Sequence, residues 1–160
     1  MNVTLTMTAA HRQQLHRHLF PADGFEAVAI LLCSRRAGPS SHRLLVKEIV
    51  PIPYADCPVR RPDLVQWSTD VLPSLLERAR RHGWSIVKVH GHASSSRVFS
   101  HVDDASDRDL FSSIAGWYDV DLPHASAVLL QDGHLFGRVV TADGQFTPLE
   151  RIAVIGHDIH

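Results

Sequence analysis

Two histidines and an aspartate in the middle of the chain have the types and spacing of a metal site. His90 and His92 are two residues apart at the end of an apolar stretch, and Asp103 follows after a loop. Side chains alternate along a strand, so both imidazoles can face one divalent ion. Two histidines and one carboxylate leave one position of a tetrahedral zinc open for water. We therefore expect one Zn²⁺ per chain with a bound water, and hydrolytic chemistry.

Each part of this pattern also has an ordinary structural explanation. The chain contains twelve histidines, so a His-x-His sequence can arise by chance. Asp103 stands where a helix is expected to begin, and an acidic residue there commonly caps the helix. The spacing of the whole set, including Ser100, therefore supports the metal hypothesis better than any single residue does.

The stretch that holds these residues resembles the motif of the JAMM/MPN+ (JAB domain) zinc metalloprotease family. That motif is an upstream Glu, then His-x-His-Pro, and then Ser-x-x-Asp at a fixed distance. The corresponding residues of this chain stand in the same register and are His90-Gly91-His92, seven intervening residues and Ser100-His101-Val102-Asp103. Glu26, just before an apolar run, occupies the position of the upstream Glu. The order of the predicted elements follows the family over most of the chain.

The chain departs from the family pattern at two positions beside the ligands. Ala93 stands where the family usually has Pro, and Gly91 stands where it usually has Ser. Neither position supplies a ligand atom. The departures therefore concern the rigidity of the loop after His92 and leave the metal chemistry intact.

The resemblance implies a role for the other polar residues near the motif. Glu26 would be the general base that takes a proton from the attacking water and returns it to the leaving amine. Ser100 would donate a hydrogen bond to the developing oxyanion, although helix capping alone would also explain a serine there. Glu48, inside an alternating strand, is the competing candidate for the base. His101 is expected to be a neighbour of the site and not a ligand.

By the same resemblance, the substrate would be a ubiquitin-like protein or its conjugates. The family cleaves isopeptide or peptide bonds after the C-terminal Gly of such proteins, and some bacterial members accompany activating and conjugating enzymes in operons linked to phage defence. Two alternatives stay open, a peptidase that processes a sulfur-carrier protein and a non-catalytic MPN scaffold domain. Scaffold members typically lack the ligands, whereas this chain has the full set. The signatures of other zinc hydrolases and of nucleobase deaminases are missing from the sequence.

Composition indicates an ordinary globular protein. The chain has 160 residues, 44% of them hydrophobic, which suits a single domain over residues 1–160. Its formal net charge of -1 predicts no binding to nucleic acid or to a membrane surface. Cys33 and Cys57 are isolated and no signal peptide is recognised, so a cytoplasmic location is expected. Residues 157–160 are expected to form a disordered tail.

Hydrophobic periodicity predicts three helices and six strands. The helices are expected over residues 8–20, from a cap at Asp70 to a stop at Gly83, and over 104–114 with Gly116 as the stop. The strands are expected over residues 27–33, 42–52, 84–90, 125–130, 134–141 and 151–155. Because tight turns join the later strands, the predicted fold is α/β, with a mixed β-sheet flanked by helices. The resemblance adds that this is a cytidine-deaminase-like JAMM/MPN domain.

The substrate groove is expected to lie among loops at the end of the third strand. Residues 54–66 and 116–124 are the two loops predicted to flank it. The first carries Arg60 and Arg61, which are interpreted either as solvated charges or as partners for acidic groups on the substrate protein.

Overall fold

A computed structural model describes residues 2–118 and 121–156 of the chain. The strands are β1 (Asn2–Thr8), β2 (Val28–Ala37), β3 (Ser41–Pro51), β4 (Val59–Arg61), β5 (Leu64–Gln66), β6 (Ser85–His92), β7 (His124–Leu130), β8 (Leu135–Val140), β9 (Phe146–Pro148) and β10 (Arg151–Ile155). The helices are α1 (Ala9–Leu19), α2 (Leu72–His82) and α3 (His101–Trp117). One-turn 3-10 helices cover Tyr54–Asp56 and Thr69–Val71.

Eight of the strands form one mixed sheet, in the order β10-β1-β3-β2-β6-β7-β8-β9. The strand β1 runs parallel to both β10 and β3, and β6 runs parallel to β7. All other neighbours in this sheet are antiparallel. The predicted fold class, a mixed sheet flanked by helices, is confirmed.

Helices cover both faces of the sheet. The helix α1 packs Leu15 and Leu19 into the core on one face, and α2 and α3 pack Leu75 and Phe111 into the core on the other. Because the central strands are covered on both sides, β2 begins with six consecutive buried residues and β6 is buried throughout. These two strands form the rigid support on which the site is built.

The strand β1 was not predicted. Its apolar residues Val3, Leu5 and Met7 alternate with Asn2, Thr4 and Thr6, which is the period of a strand with one face in the core. The alternation runs directly into α1, where Thr8 ends the strand and caps the helix. Because the strand runs directly into the helix, the sequence contains no turn residues that mark the boundary between them.

The helix boundaries differ from the prediction at α2 and α3. A 3-10 turn capped by Ser68 precedes α2, so Asp70 lies inside that turn and is not the cap. Gly83 ends α2 in the left-handed conformation, as predicted. The helix α3 begins at His101, three residues earlier than predicted, and continues through Gly116 to Trp117.

The region predicted as the loop 54–66 contains secondary structure. The strands β4 and β5 pair antiparallel through the two-residue turn Pro62-Asp63 and form a separate two-stranded sheet. Each strand has only three residues, which is too short for alternation to be recognised in the sequence. We refer to residues 59–66 as the β4–β5 hairpin.

No helix within residues 2–118 and 121–156 is long and apolar enough to cross a bilayer. The predicted tail at residues 157–160 lies outside the described residues.

Candidate active site

The end of β6 brings His90 and His92 together. Their Nε2 atoms are 3.0 Å apart, and both side chains are buried, so the prediction that both rings face the same side is confirmed. Gly91, between them, faces the opposite side, where a Cβ atom would lie 3.2 Å from the Leu19 carbonyl oxygen and 3.2 Å from the Phe20 ring. The glycine therefore allows the end of α1 to pack closely on β6, and a larger residue at this position would require a small shift of α1.

Asp103, in the first turn of α3, faces both histidines. Its Oδ1 lies 3.0 Å from His90 Nε2, and its Oδ2 lies 3.2 Å from His92 Nε2. The same carboxylate accepts a hydrogen bond of 2.8 Å from the Ser100 backbone N–H, and the Ser100 hydroxyl accepts one of 3.1 Å from the Asp103 N–H. Asp103 is therefore a capping residue and a member of the cluster at once, because the capping box turns its carboxylate toward the histidines.

Glu26 is the second carboxylate of the site. It lies just before β2, and its side chain is buried. One carboxylate oxygen of Glu26 and one ring nitrogen each of His90 and His92 lie within 4.8 Å of one another. Burial raises the pKa of Glu26 to about 7, with the nearby Asp103 adding to the rise and His92 opposing it. A carboxylate with such a pKa can accept and return a proton near neutrality.

The electrostatic environment separates the two histidines. Burial lowers the pKa of His90, which favours the neutral imidazole that a metal requires. Burial opposes the charged form of His92 as well, but its hydrogen bond to Asp103 and the charges of Asp103 and Glu26 raise the pKa of that ring. Burial would raise the pKa of Asp103, but the hydrogen bonds from both histidines hold it well below its usual range.

The donor atoms of this cluster fit a small divalent cation. A tetrahedral ion with bonds of about 2.0–2.1 Å separates neighbouring ligand atoms by roughly 3.3 Å. The nitrogens of His90 and His92 and the oxygens of Asp103 are 3.0–3.2 Å apart. The other ring nitrogen of His90, Nδ1, is buried with no hydrogen-bond partner among the described residues. The polar contacts of the His90 ring are therefore made by Nε2, which faces the cluster. The buried Glu-His-His group, with Asp103 beside it, could hold a metal.

Two other residues considered in the sequence do not join the contacts of this cluster, although His101 lines the same cavity as Glu26, His90 and Asp103. Glu48 forms an ion pair of 2.7 Å with Arg78 of α2. On the sheet, Glu48 of β3 pairs with Leu32 of β2, and Leu32 pairs with Ile86 of β6, which is four residues before His90. His101 is the exposed first residue of α3. The competing base is therefore engaged elsewhere on the sheet.

A buried ion network joins α3 to the sheet beside the site, and it was not predicted from the sequence. Asp107 accepts hydrogen bonds from Lys88 at 2.7 Å and from Arg138 at 2.7 and 3.2 Å, and its side chain is fully buried. Arg138 also bonds Asp104 at 2.6 Å. Asp107 is one turn beyond Asp103, and Lys88 is two residues before His90, so the network fixes the helix that holds one carboxylate against the strand that holds both histidines. The i, i+4 spacing of the two aspartates was the available signal.

A groove of about 790 Å³ leads to the cluster. Glu26, His90 and Asp103 are among the residues that line it. Its walls come from the three neighbouring elements and include Leu64 and Val65 of β5, Leu72 and Leu76 of α2, and Val102, Leu110, Ile114 and Trp117 of α3. The surface is largely apolar, and Val102 and Trp117 are 48% and 68% exposed. Exposed apolar residues in such a concave surface mark a binding site.

The two loops predicted to flank the groove contribute unequally. The first, residues 54–66, supplies the β5 wall, as expected. The second, residues 116–124, contributes Trp117 to the groove, whereas residues 121–124 border a different cavity next to His42. Of the described residues of the second loop, only Trp117 therefore lines the groove, because α3 continues to Trp117 and residues 121–124 lie at the other cavity.

The side chain of Arg60 is directed inward. It is 12% exposed and forms an ion pair of 2.8 Å with Asp23. It also donates to the backbone carbonyl of Glu26 at 2.9 Å. The interpretation of Arg60 as a solvated or partner-binding charge was wrong, whereas Arg61 is exposed.

Comparisons with known proteins agree with this architecture. Residues 8–138 match the model of a family described as prokaryotic homologs of the JAB domain. The solution structure of protein DSY2949 from Desulfitobacterium hafniense is similar, with a TM-score of 0.59 at 20% sequence identity over 96% of this chain and 94% of that one. At this identity the likeness concerns the fold alone. No curated protein matches the chain. The match to the family model covers most of the chain and includes all the residues of the cluster, so the chain belongs to the prokaryotic JAB-domain family.

Proposed function

We propose that this protein is a zinc-dependent peptidase or isopeptidase that cleaves after the C-terminal Gly of a ubiquitin-like protein. The observation that carries the proposal is the convergence of His90, His92 and Asp103 within 3.2 Å, with buried Glu26 alongside, next to an apolar groove. A scaffold domain has no need of four buried ionisable groups in one cluster, because each costs free energy to bury.

His90, His92 and Asp103 would hold the zinc, since their atoms make the shortest contacts of the cluster. Zinc held there supplies a Lewis acid and makes water nucleophilic near neutral pH. Asp103 already contacts both histidines, so Glu26, which has an oxygen within 4.8 Å of their ring nitrogens, is assigned to proton transfer.

Glu26 would move the proton that amide hydrolysis requires. Its carboxylate takes a proton from the attacking water and delivers it to the leaving amine nitrogen, so no proton is gained or lost overall. The hydroxyl of Ser100 accepts the Asp103 N–H and keeps its own proton available to donate to the oxygen that develops negative charge.

The groove suits an extended chain. Val102 and Trp117 both line it and are 15 positions apart on α3, which corresponds to about 22 Å along a helix. At about 3.3 Å per residue, an extended tail of six or seven residues spans that length. Among the described residues β5 pairs with β4 alone, so its other edge can accept main-chain hydrogen bonds from such a tail. Glycine beside the cleaved bond has no side chain to place among Glu26, His90 and Asp103.

The proposal extends to the context that the family resemblance suggests. The partners would be a ubiquitin-like protein, its conjugates, and activating and conjugating enzymes encoded nearby, in a bacterial pathway such as phage defence. A sulfur-carrier protein that also ends in Gly-Gly would use the same groove, and the identity of the cleaved partner distinguishes the two pathways.

Mass spectrometry of cleavage products tests the proposal. The substrates are fusions in which a Gly-ended ubiquitin-like or sulfur-carrier protein from the genomic neighbourhood precedes a reporter, with a matched fusion whose terminal Gly is replaced by Val. We expect one cut directly after the Gly, blocked by a zinc chelator, unaffected by thiol alkylation and much slower in the Val fusion. Scattered cuts in unfolded casein, with no preference for the Gly fusion, would mean a general peptidase. No cleavage of any fusion by the zinc-loaded protein would overturn the enzymatic proposal.

A further inference from the structure

The guanidinium of Arg60 is held in one orientation by several contacts. It pairs with Asp23 through two nitrogens, at 2.8 and 3.2 Å. Its Cζ lies 4.4 Å from the centroid of the Tyr54 ring, and the Tyr54 hydroxyl donates to the His18 carbonyl at 2.6 Å. The planar guanidinium presents its donors in a fixed fork, so it can hold several acceptors in one defined geometry.

The same guanidinium holds the backbone just before β2. Its Nε donates to the carbonyl of Glu26 at 2.9 Å, and one terminal nitrogen donates to the carbonyl of Phe25 at 3.2 Å. On the other side of the same residue, the Glu26 N–H donates to the carbonyl of Arg61 at 2.8 Å. Both backbone polar groups of Glu26 are therefore bound by consecutive residues of β4.

The β4–β5 hairpin consequently has two structural roles. Its strand β4 binds the backbone of Glu26, and its strand β5 forms one wall of the groove with Leu64 and Val65. Glu26 precedes β2, and no ladder of the main sheet holds its residue in register, since the β2 pairing starts at Val28. The backbone hydrogen bonds of Glu26 are thus made by the hairpin, while the carbonyl of the next residue, Ala27, accepts from Gly91 of β6 at 3.3 Å.

We infer that Arg60 is a positioning residue, which fixes Glu26 against the β4–β5 hairpin so that the carboxylate and the groove wall keep one relative geometry. The expected effect on turnover rests on the proposed function. The structural link between Arg60 and Glu26 is independent of that function. The guanidinium contacts the backbone of Glu26, so its effect on chemistry is indirect. A displacement of about 1 Å in a reacting group is enough to lower a rate by about 10²-fold.

Two measurements on the zinc-loaded protein test the inference. Hydrogen exchange at the Glu26 amide, which donates to the Arg61 carbonyl, reports how firmly β4 holds this segment, and steady-state kinetics on the Gly-ended fusion reports the consequence for turnover. In Arg60→Gln we expect faster exchange at Glu26, unchanged zinc content, and a kcat lower by about 10–10²-fold with little change in KM. Arg60→Lys, which keeps one donor and the charge, is expected to fall between the wild type and Arg60→Gln.

Two further variants keep the test decisive. Arg36→Gln alters an exposed arginine near the end of β2, outside the hairpin and the groove lining, and should match the wild type in both measurements. Asp23→Asn keeps an oxygen for the Phe25 N–H but weakens the pairing of Arg60. It should shift both measurements in the same direction as Arg60→Gln, but by a smaller amount. It also allows the test if Arg60→Gln does not fold. Wild-type exchange at Glu26 in Arg60→Gln, or an effect confined to KM, would overturn the inference. Altered exchange in a protein whose wild type cleaves no fusion would sustain the link and refute the proposed function.

Discussion

Asp103 and Ser100 satisfy each other's backbone N–H groups at the start of α3. This reciprocal cap also directs the Asp103 carboxylate to His90 and His92, at 3.0 and 3.2 Å. Helix capping and metal binding are therefore not alternatives for Asp103, because one arrangement is compatible with both. For Ser100 the two explanations can still be separated, since capping uses its oxygen as an acceptor and oxyanion stabilisation uses its proton.

Ser100→Gly separates those two explanations. Glycine is a tolerable N-cap, so the loss of stability should be only a few tenths of a kcal/mol. If the hydroxyl donates to the oxyanion, turnover should fall by about 10²–10³-fold. Ser100→Thr keeps both the cap and the hydroxyl and serves as the control, with urea denaturation and initial rates measured on all three proteins. Full turnover in Ser100→Gly would restrict Ser100 to capping.

Removal of one imidazole should abolish metal binding. The wild type is expected to bind about one zinc per chain at a three-residue site with an open position. His92→Ala removes one of the converging nitrogens and should bind far less zinc, whereas His101→Ala, at the exposed start of α3, should keep it. Elemental analysis after dialysis against trace zinc measures both. A wild type that takes up no zinc would refute the metal site.

Glu26→Ala should separate catalysis from metal binding. Zinc content and fold should persist, while turnover falls by at least about 10²-fold, the usual contribution of a general base. Glu48→Ala is the matched control, because Glu48 is a carboxylate paired with Arg78 at the surface of α2. Its loss should leave turnover unchanged and stability within about 0.5 kcal/mol. The opposite pattern, an inactive Glu48→Ala and an active Glu26→Ala, would assign the base to Glu48.

The sequence was informative where a local pattern determines the structure. The continuous apolar run at the start of β2 predicted a strand buried on both faces, and the two-residue spacing of His90 and His92 predicted their common side. Gly83 marked the end of α2 because a left-handed cap favours glycine. In each case the evidence lies within a few consecutive residues.

The features that were missed depend on contacts between distant parts of the chain. The β4–β5 hairpin has strands of three residues, and its place is set by hydrogen bonds to Glu26, some 35 positions earlier. The inward direction of Arg60 follows from Asp23 and Tyr54, and the burial of Lys88 follows from Asp107. A charged residue in a sequence is more often exposed than buried, so local patterns assign these residues to the surface.

His124 is a buried histidine far from the cluster, at the opposite end of the β6–β7 pair. Its Nδ1 accepts a hydrogen bond of 2.9 Å from the Ile86 N–H, and its Nε2 is buried with no hydrogen-bond partner among the described residues. The rings of Phe111 and Tyr118 lie next to it. Burial lowers the pKa of His124 from 6.5 to about 4. The folded protein therefore holds this ring neutral at a pH at which the unfolded chain protonates it.

This difference should make the free energy of unfolding depend on pH. Above pH 6.5 the ring is neutral in both states and the stability is complete. Between pH 6.5 and about 4 the unfolded state binds a proton that the folded state does not, so stability falls as pH falls, and below about 4 the loss is complete. At about 1.4 kcal/mol per pKa unit, a shift from 6.5 to about 4 corresponds to about 3 kcal/mol.

His124→Asn tests this dependence, because its Oδ1 can replace Nδ1 as the acceptor for Ile86 and its side chain does not titrate. Urea unfolding at pH 7 and pH 4.5, with a chelator present so that metal release does not contribute, should show that the wild type loses about 2–3 kcal/mol more than the variant. His82→Asn, which removes an exposed imidazole at the end of α2, is the matched control for losing a histidine. The other titrating groups are common to all three proteins and cancel in the comparison. If the wild type and His124→Asn lose the same stability between the two pH values, the ring of His124 takes up its proton without unfolding and its burial does not control the acid sensitivity of the fold.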